Sequence, residues 1–113
     1  MALFAVQYTY ADEPARLDHH RPAHREFLRA LADEGTLVAA GPMNGGGDHL
    51  PGAAAESECG EAGFAGALVL VDAPDATAVA SLLDADPFAR EGLIIGRAIR
   101  PWTITVGGIG VDD

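Results

Sequence analysis

The stretch RPAHREFLRAL, residues 21–31, predicts an amphipathic helix that carries a histidine on its apolar face. Residues three or four positions apart share one side of a helix. By that spacing the apolar stripe contains His24, Phe27, Leu28 and Leu31. Pro22 suits the first helical position, where its missing N–H needs no partner, and Gly35 is expected to end the helix. His24 is therefore expected about one turn from the helix start.

His24 has two interpretations. A histidine at the rim of a buried face is either a satisfied core residue or a group that takes part in chemistry. Near a helix N-terminus the macrodipole favours the uncharged ring, and a neutral imidazole is what a general base needs. The stretch by itself leaves both interpretations open.

Length and charge limit the partners to be expected. The chain has 113 residues and a formal net charge of −10, from 17 acidic and 7 basic residues, and every basic residue is arginine. Nucleic acids and anionic membranes are bound by clustered basic residues, so neither is expected as a partner. The length predicts one domain over residues 1–113, with a core at about 3–104. The absence of lysine beside abundant alanine indicates a coding bias, such as that of a GC-rich bacterial genome.

Several features favour a cytoplasmic location. Cys59 is the only cysteine, so no intrachain disulfide can form, and its acidic neighbours disfavour a reactive thiolate. The first residues, MALFAV, lack the basic segment of a signal peptide. No apolar run approaches the roughly 20 residues that a membrane span needs, so no membrane segment is expected.

Alternating and helical periodicities predict the order strand, helix, strand, strand, helix, strand. The predicted strands cover residues 3–10, 36–40, 64–72 and 93–100. Residues 11–18 are predicted to be a connection broken by Pro14, and Gly41-Pro42 to end the second strand. The second helix is predicted to open at Pro74-Asp75-Ala76 and to end before Pro87. This order is the ferredoxin-like βαββαβ pattern.

Two segments are predicted to lack regular structure. Residues 43–63 form a long Gly-rich loop, and residues 105–113 form a Gly-rich, acidic tail. A loop that long inside a compact domain is usually functional or mobile, so this loop is a candidate to close over a binding site. Its triple glycine is not followed by the Lys or Thr of a P-loop, and phosphate binding is not expected.

The third predicted strand is apolar on both faces, since Phe64, Leu68 and Leu70 alternate with Ala65, Ala67, Val69 and Val71. Two helices form one layer, which covers only one face of a sheet. The other face needs a second cover, and another copy of the chain is the economical candidate. The sequence therefore predicts a homodimer.

Four short motifs, in order and on this topology, resemble those of the YCII-related family. They are Arg21-Pro22-Ala23-His24, Asp33-Glu34-Gly35, Ala40-Gly41-Pro42 and Ala85-Asp86-Pro87-Phe88. The resemblance implies an α+β ferredoxin-like domain, with an antiparallel sheet and two helices on one face, that pairs through its sheet into a dimeric α+β barrel. It also implies a His-Asp pair in a pocket, suspected of acid-base catalysis, and places that pair at His24 and Asp86.

A histidine and a carboxylate in contact are suited to proton transfer. A carboxylate that accepts from one ring nitrogen fixes the tautomer and leaves the other nitrogen free to take a proton. The first hypothesis is thus a small isomerase-like or lyase-like enzyme with His24 as acid-base group and Asp86 as its orienting partner, acting on a small organic substrate. The alternative is a non-catalytic ligand-binding or accessory module, in which Asp86 is a turn residue before Pro87.

Four further residues are candidates for substrate contact: Tyr8, Arg21, Met43 and Phe88. The aromatic side chains suit an apolar pocket, with the core or a dimer interface as the alternative. Arg21 suits a substrate carboxylate, with a solvated surface position as the alternative.

Metal and cofactor sites are not expected. His20 and His24 have the i, i+4 spacing of two ligands on one helix, but Pro22 lies between them and no Cys-x-x-Cys or His-Glu-x-x-His completes a site. No Gly-x-Gly-x-x-Gly follows a strand, and no Gly-x-Ser-x-Gly is present, so neither a nucleotide cofactor nor a serine hydrolase is predicted.

Overall fold

A computed structural model describes residues 2–43 and 65–108. The strands are β1 (Ala2–Tyr10), β2 (Leu37–Met43), β3 (Gly66–Ala73) and β4 (Ile94–Pro101), and the helices are α1 (Pro14–Asp33), α2 (Ala76–Leu83) and α3 (Pro87–Arg90). The strands form one sheet in the order β2-β3-β1-β4, and all neighbours are antiparallel. The predicted ferredoxin-like βαββαβ fold is confirmed. Cys59, most of the 43–63 loop and the end of the tail lie outside the described residues.

The core lies between the sheet and the helices. Alternate side chains of β1 face the helices and are buried: Phe4, Val6, Tyr8 and Tyr10. Strand pairing sets Val71 beside Phe4, Val69 beside Val6 and Ala67 beside Tyr8, so β3 continues the same apolar layer. Val79 and Leu83 of α2 and Phe88 of α3 are completely buried. The period-two pattern of β1 and the apolar stripe of α2 therefore meet as the sequence predicts.

The start of α1 differs from the prediction. The helix begins at Pro14, and Pro22 lies inside it. Both prolines fit a first helical position by their fixed φ, but Leu17, seven residues before His24, is also buried and extends the apolar stripe toward the N-terminus. Pro22 is exposed, so its ring meets solvent. His24 therefore lies near the middle of a 20-residue helix, and the argument from the N-terminal macrodipole does not apply to it.

The end of the second strand also differs from the prediction, because β2 continues through Gly41 and Pro42 to Met43. A proline within a sheet is confined to edge strands, where no ladder N–H is lost on the outer side. β2 is one edge of the sheet, which explains why Pro42 does not end it. β4 is the other edge of the sheet and ends at Pro101.

The second face of the sheet carries apolar side chains. Leu68 and Leu70 of β3 alternate with the core residues and so point away from the helices. Leu68 is 38% exposed. Met43 of β2 lies on the same face by its register with Gly66 and is 43% exposed. None of the helices in residues 2–43 and 65–108 is long and apolar enough to cross a membrane.

Candidate active site

Asp86 is fixed by the turn between α2 and α3. Its backbone is extended, as expected before Pro87, and its side chain caps α3 by accepting a hydrogen bond from the Phe88 N–H at 2.9 Å (Oδ1). Pro87 occupies the first turn of that short helix. Asp86 is completely buried. A buried carboxylate requires hydrogen-bonding partners, and the cap supplies one of them.

His24 supplies the other partner. Its Nδ1 lies 2.8 Å from Asp86 Oδ1 and 2.9 Å from Oδ2, and the residue is only 6% exposed. An ionised carboxylate only accepts hydrogen bonds, so Nδ1 carries the hydrogen and donates it. In the neutral ring, Nε2 is then the unprotonated nitrogen, on the ring edge turned away from Asp86.

Two aromatic residues hold the imidazole in place. The Phe88 ring stacks on it with centroids 4.0 Å apart and planes 7° from parallel, and Phe88 is completely buried. Tyr10 meets the Phe88 ring edge-on at 5.2 Å and the imidazole edge-on at 6.5 Å. The edge-to-face geometry is favourable for aromatic pairs. The imidazole is therefore fixed in plane by Phe88 and in direction by Asp86.

A cavity of about 150 Å³ lies beside His24, between α1 and β2. Its apolar walls are Tyr10, Leu28, Pro42 and Ala67, and Arg21 and Arg25 border it from α1. It combines one titratable ring, two guanidinium groups and apolar walls. This is the composition expected of a pocket for a small organic molecule.

Burial makes the nearby phenols weaker acids than a free tyrosine. Burial, with a smaller contribution from the Asp86 carboxylate, raises the pKa of Tyr10 to about 12. The same two causes raise the pKa of Tyr8 further above its usual value. Tyr10 borders the cavity as a phenol that is neutral at physiological pH.

The chain is similar to known proteins in sequence and in fold. The family model for the YCII-related domain matches residues 2–103. The chain belongs to the YCII-related family. It is 35% identical over 82 residues to Protein YciI of Escherichia coli, a match that covers 73% of this chain and 76% of that protein. Protein YciI of Shigella flexneri matches equally well.

One solved structure shares the fold of this YCII-related domain. It is 5-chloro-2-hydroxyhydroquinone dehydrochlorinase (TftG) from Burkholderia phenoliruptrix in complex with 2,5-dihydroxybenzoquinone. The TM-score is 0.67 at 20% identity, and the superposition covers 89% of this chain and 93% of TftG. At that identity the likeness establishes the fold.

The YCII-related domain brings some of the predicted site residues together and separates others. His24 and Asp86 are in contact, and Arg21 borders the cavity. Phe88 lies behind the imidazole and does not border the cavity. Tyr8 stands two residues before Tyr10 on the same buried face of β1, with its ring 6.3 Å from that of Tyr10, but it does not border the cavity. Its hydroxyl has no partner among the described residues. Met43 lies on the opposite face of the sheet.

Sequence reasoning missed Arg25 and the β2 wall of the cavity. Arg25 follows His24 directly and stands four positions after Arg21, a spacing that places the two guanidinium groups on one side of α1. That signal was available. The contribution of Ala40, Gly41 and Pro42 to the cavity could not be predicted, because it depends on β2 continuing past Gly41 along the helix.

The described residues gather no metal-binding set. Within residues 2–43 and 65–108, no three His, Cys, Asp or Glu side chains converge. His20 lies toward Glu91, at 3.7 Å from its Oε1, while His24 is turned to Asp86. The two histidines with ligand spacing therefore face different partners.

Proposed function

We propose that this YCII-related domain is a cofactor-independent acid-base enzyme of the isomerase or lyase type, with a small cyclic organic substrate. One observation carries the proposal: Nδ1 of His24 lies 2.8 Å from a completely buried carboxylate, and the same residue borders a cavity. A histidine held in this way has one defined nitrogen, Nε2, with which to take a proton.

The proposed chemistry is proton transfer at carbon. Nε2 removes a proton from a carbon next to an electron-withdrawing group, and the bonding pair moves into the substrate as an enolate. The imidazolium that forms keeps its Nδ1–H on Asp86, whose negative charge stabilises it. The proton then returns to a different atom of the substrate, which gives isomerisation, or the electron pair expels a leaving group, which gives elimination.

Tyr10 and the apolar walls support this chemistry. Tyr10 borders the cavity, and its protonated phenol can donate a hydrogen bond to the developing enolate oxygen. Leu28, Pro42 and Ala67 exclude water from one side, and electrostatic interactions are stronger where water is excluded.

The likeness to TftG supports a ring compound as substrate. TftG is a dehydrochlorinase, and its structure contains a dihydroxybenzoquinone. A cavity of about 150 Å³ is large enough for one six-membered ring. We propose the same substrate size for this domain.

We also propose that the domain acts as a homodimer. The sheet face opposite the helices exposes the apolar side chains of Leu68 and Met43. Packing that face against a second copy would bury it.

The decisive variant is His24→Asn. The asparagine amide takes the place of Nδ1–H and can still donate to Asp86, but it has no group in the position of Nε2. Wild-type protein is incubated in D2O with 5-chloro-2-hydroxyhydroquinone and a set of unsaturated lactones, and deuterium uptake and chloride release are followed by NMR and ion analysis. The wild type is expected to accelerate one of these reactions, and His24→Asn to lower the rate at least about 100-fold.

His20→Asn, an exchange on the same helix outside the cavity, is the matched control and should leave the rate unchanged. Equal rates for His24→Asn and the wild type would overturn the proposal. Binding of these compounds without any reaction in the wild type would instead support a ligand-binding module.

A further inference from the structure

The arginines of α1 are concentrated along the cavity. Arg21, Arg25 and Arg29 recur every four residues and so form one row on the helix. Arg21 and Arg25 border the His24 cavity, and Arg25 and Arg29 border a shallower groove of about 280 Å³ that continues between α1 and β2. Three of the seven basic residues of the chain thus lie along a single cleft.

This row is unusual because the protein is strongly acidic. The chain carries a net charge of −10, and a net negative charge repels anionic ligands at long range. None of the described residues that border either cavity is acidic. The cleft is therefore a positively charged site on a negatively charged molecule.

The arginines are available to a ligand. Arg25 and Arg29 form no ion pair with any residue in 2–43 or 65–108. Arg21 lies 3.2 Å from Asp18, whose side chain is 76% exposed. Exposed pairs of this kind contribute little stability, so an anionic ligand can compete for the guanidinium.

We propose that the His24 cavity selects small cyclic anions, with Arg21 and Arg25 binding a carboxylate or an ionised hydroxyl of the ring. This proposal rests on the proposed function, since it names the substrate class of the same site. Guanidinium groups bind carboxylates with two parallel hydrogen bonds, and Tyr10 and Leu28 contact the ring. An anionic group held by the arginines would place the ring beside Nε2 of His24.

Benzoate and benzamide have nearly the same shape but differ in charge, so together they test whether the cavity prefers an anion. Both are titrated into the wild-type protein and followed by amide chemical shifts in two-dimensional NMR. Benzoate is expected to shift the amides of Tyr10, Leu28 and Gly41 and to bind at least about tenfold more tightly than benzamide, because a charge-assisted hydrogen bond is worth that factor. Arg25→Gln and Arg21→Gln should each weaken benzoate about tenfold and leave benzamide unchanged.

Arg16→Gln is the matched control, since Arg16 lies on the same helix, pairs with Glu13 and does not border the cavity. It should change neither affinity. Equal affinities for benzoate and benzamide, an unchanged benzoate affinity in Arg21→Gln and Arg25→Gln, or no benzoate binding at all would overturn the proposal. This binding experiment does not depend on proton transfer. If His24→Asn loses activity but the protein shows no preference for benzoate, only the proposed anion selectivity is refuted. If the protein prefers benzoate but His24→Asn keeps full activity, only the proposed acid-base catalysis is refuted.

Discussion

The Nδ1 atom of His24 lies 2.8 Å from Oδ1 of Asp86, although the two residues are 62 positions apart in the chain. One stands in the middle of a long helix and the other in the turn between two short ones. Their contact ties α1 to the α2–α3 turn and buries both polar groups. The contact therefore affects the stability of the fold as well as the chemistry of the site.

Asp86→Ala is expected to lower the free energy of unfolding by about 3 kcal/mol. The substitution removes the cap of α3, worth about 1 kcal/mol, and leaves a buried imidazole without its partner, which costs about 1–3 kcal/mol. Chemical denaturation monitored by circular dichroism measures the loss. Asp75→Ala is the matched control, because the Asp75 side chain caps α2 by accepting from the Ala78 N–H and has no second partner within residues 2–43 and 65–108.

Asp75→Ala should therefore cost only about 1 kcal/mol. Equal losses for the two variants would show that the contact with His24 contributes nothing to stability beyond the cap.

The raised pKa values of Tyr8 and Tyr10 predict that the folded protein loses stability at high pH. The pKa of Tyr10 rises from 10.0 to about 12 on folding, so the unfolded chain releases this proton first as pH increases. The stabilising effect is complete below pH 10 and disappears between about pH 10 and 12, at about 1.4 kcal/mol per pKa unit. The raised pKa of Tyr8 acts in the same direction.

The ultraviolet absorbance of tyrosinate follows this titration, and the chain contains only these two tyrosines. Tyr10→Phe should lose less stability over the same pH range than the wild type. A midpoint near pH 10 in the folded protein would contradict the burial of both phenols.

Pro22→Ala is expected to stabilise the protein by about 2 kcal/mol. A proline inside a helix costs about 3 kcal/mol relative to alanine, and part of that is offset because proline restricts the unfolded chain. Alanine would restore the N–H that bonds to the carbonyl of Asp18 in a regular helix. Pro14→Ala, at the first helical position, should change stability by only a few tenths of a kcal/mol. Thermal unfolding that shows no gain for Pro22→Ala would contradict an interior position for this residue.

Leu68→Glu is expected to convert a dimer into a monomer. The charged side chain would lie on the sheet face opposite the helices, where burial of an unpaired charge is costly. Size-exclusion chromatography with light scattering at micromolar concentration measures the mass. Ala30→Glu, an exposed position on α1, should leave the dimer intact. A monomeric wild type at that concentration would refute the proposed dimer.

Local patterns predict much of this fold. The alternation of Phe4, Val6, Tyr8 and Tyr10 predicts the buried face of β1, and Asp75 and Pro87 set the two ends of α2. The start of α1 could not be chosen, because Pro14 and Pro22 each suit a first turn. The extent of β2 could not be predicted either, because a proline is tolerated only once the strand is known to be at an edge.

The candidate site was predictable only in part. The residues alone give His24 a place on a buried face, and the family resemblance adds Asp86. Their contact depends on how α1 packs against the turn before α3. The i, i+4 spacing of Arg21, Arg25 and Arg29 is present in the sequence, but the cavity wall from β2 becomes visible only when α1 and β2 are placed side by side.

The tautomer of His24 tests the account most directly. Long-range proton–nitrogen NMR of the histidine rings distinguishes a protonated from an unprotonated ring nitrogen. In the neutral ring of the wild type we predict hydrogen on Nδ1 and none on Nε2, and a loss of this preference in Asp86→Ala. A wild-type ring that carries its hydrogen on Nε2 would have no unprotonated nitrogen on the ring edge turned away from Asp86 and would contradict the proposed role of His24.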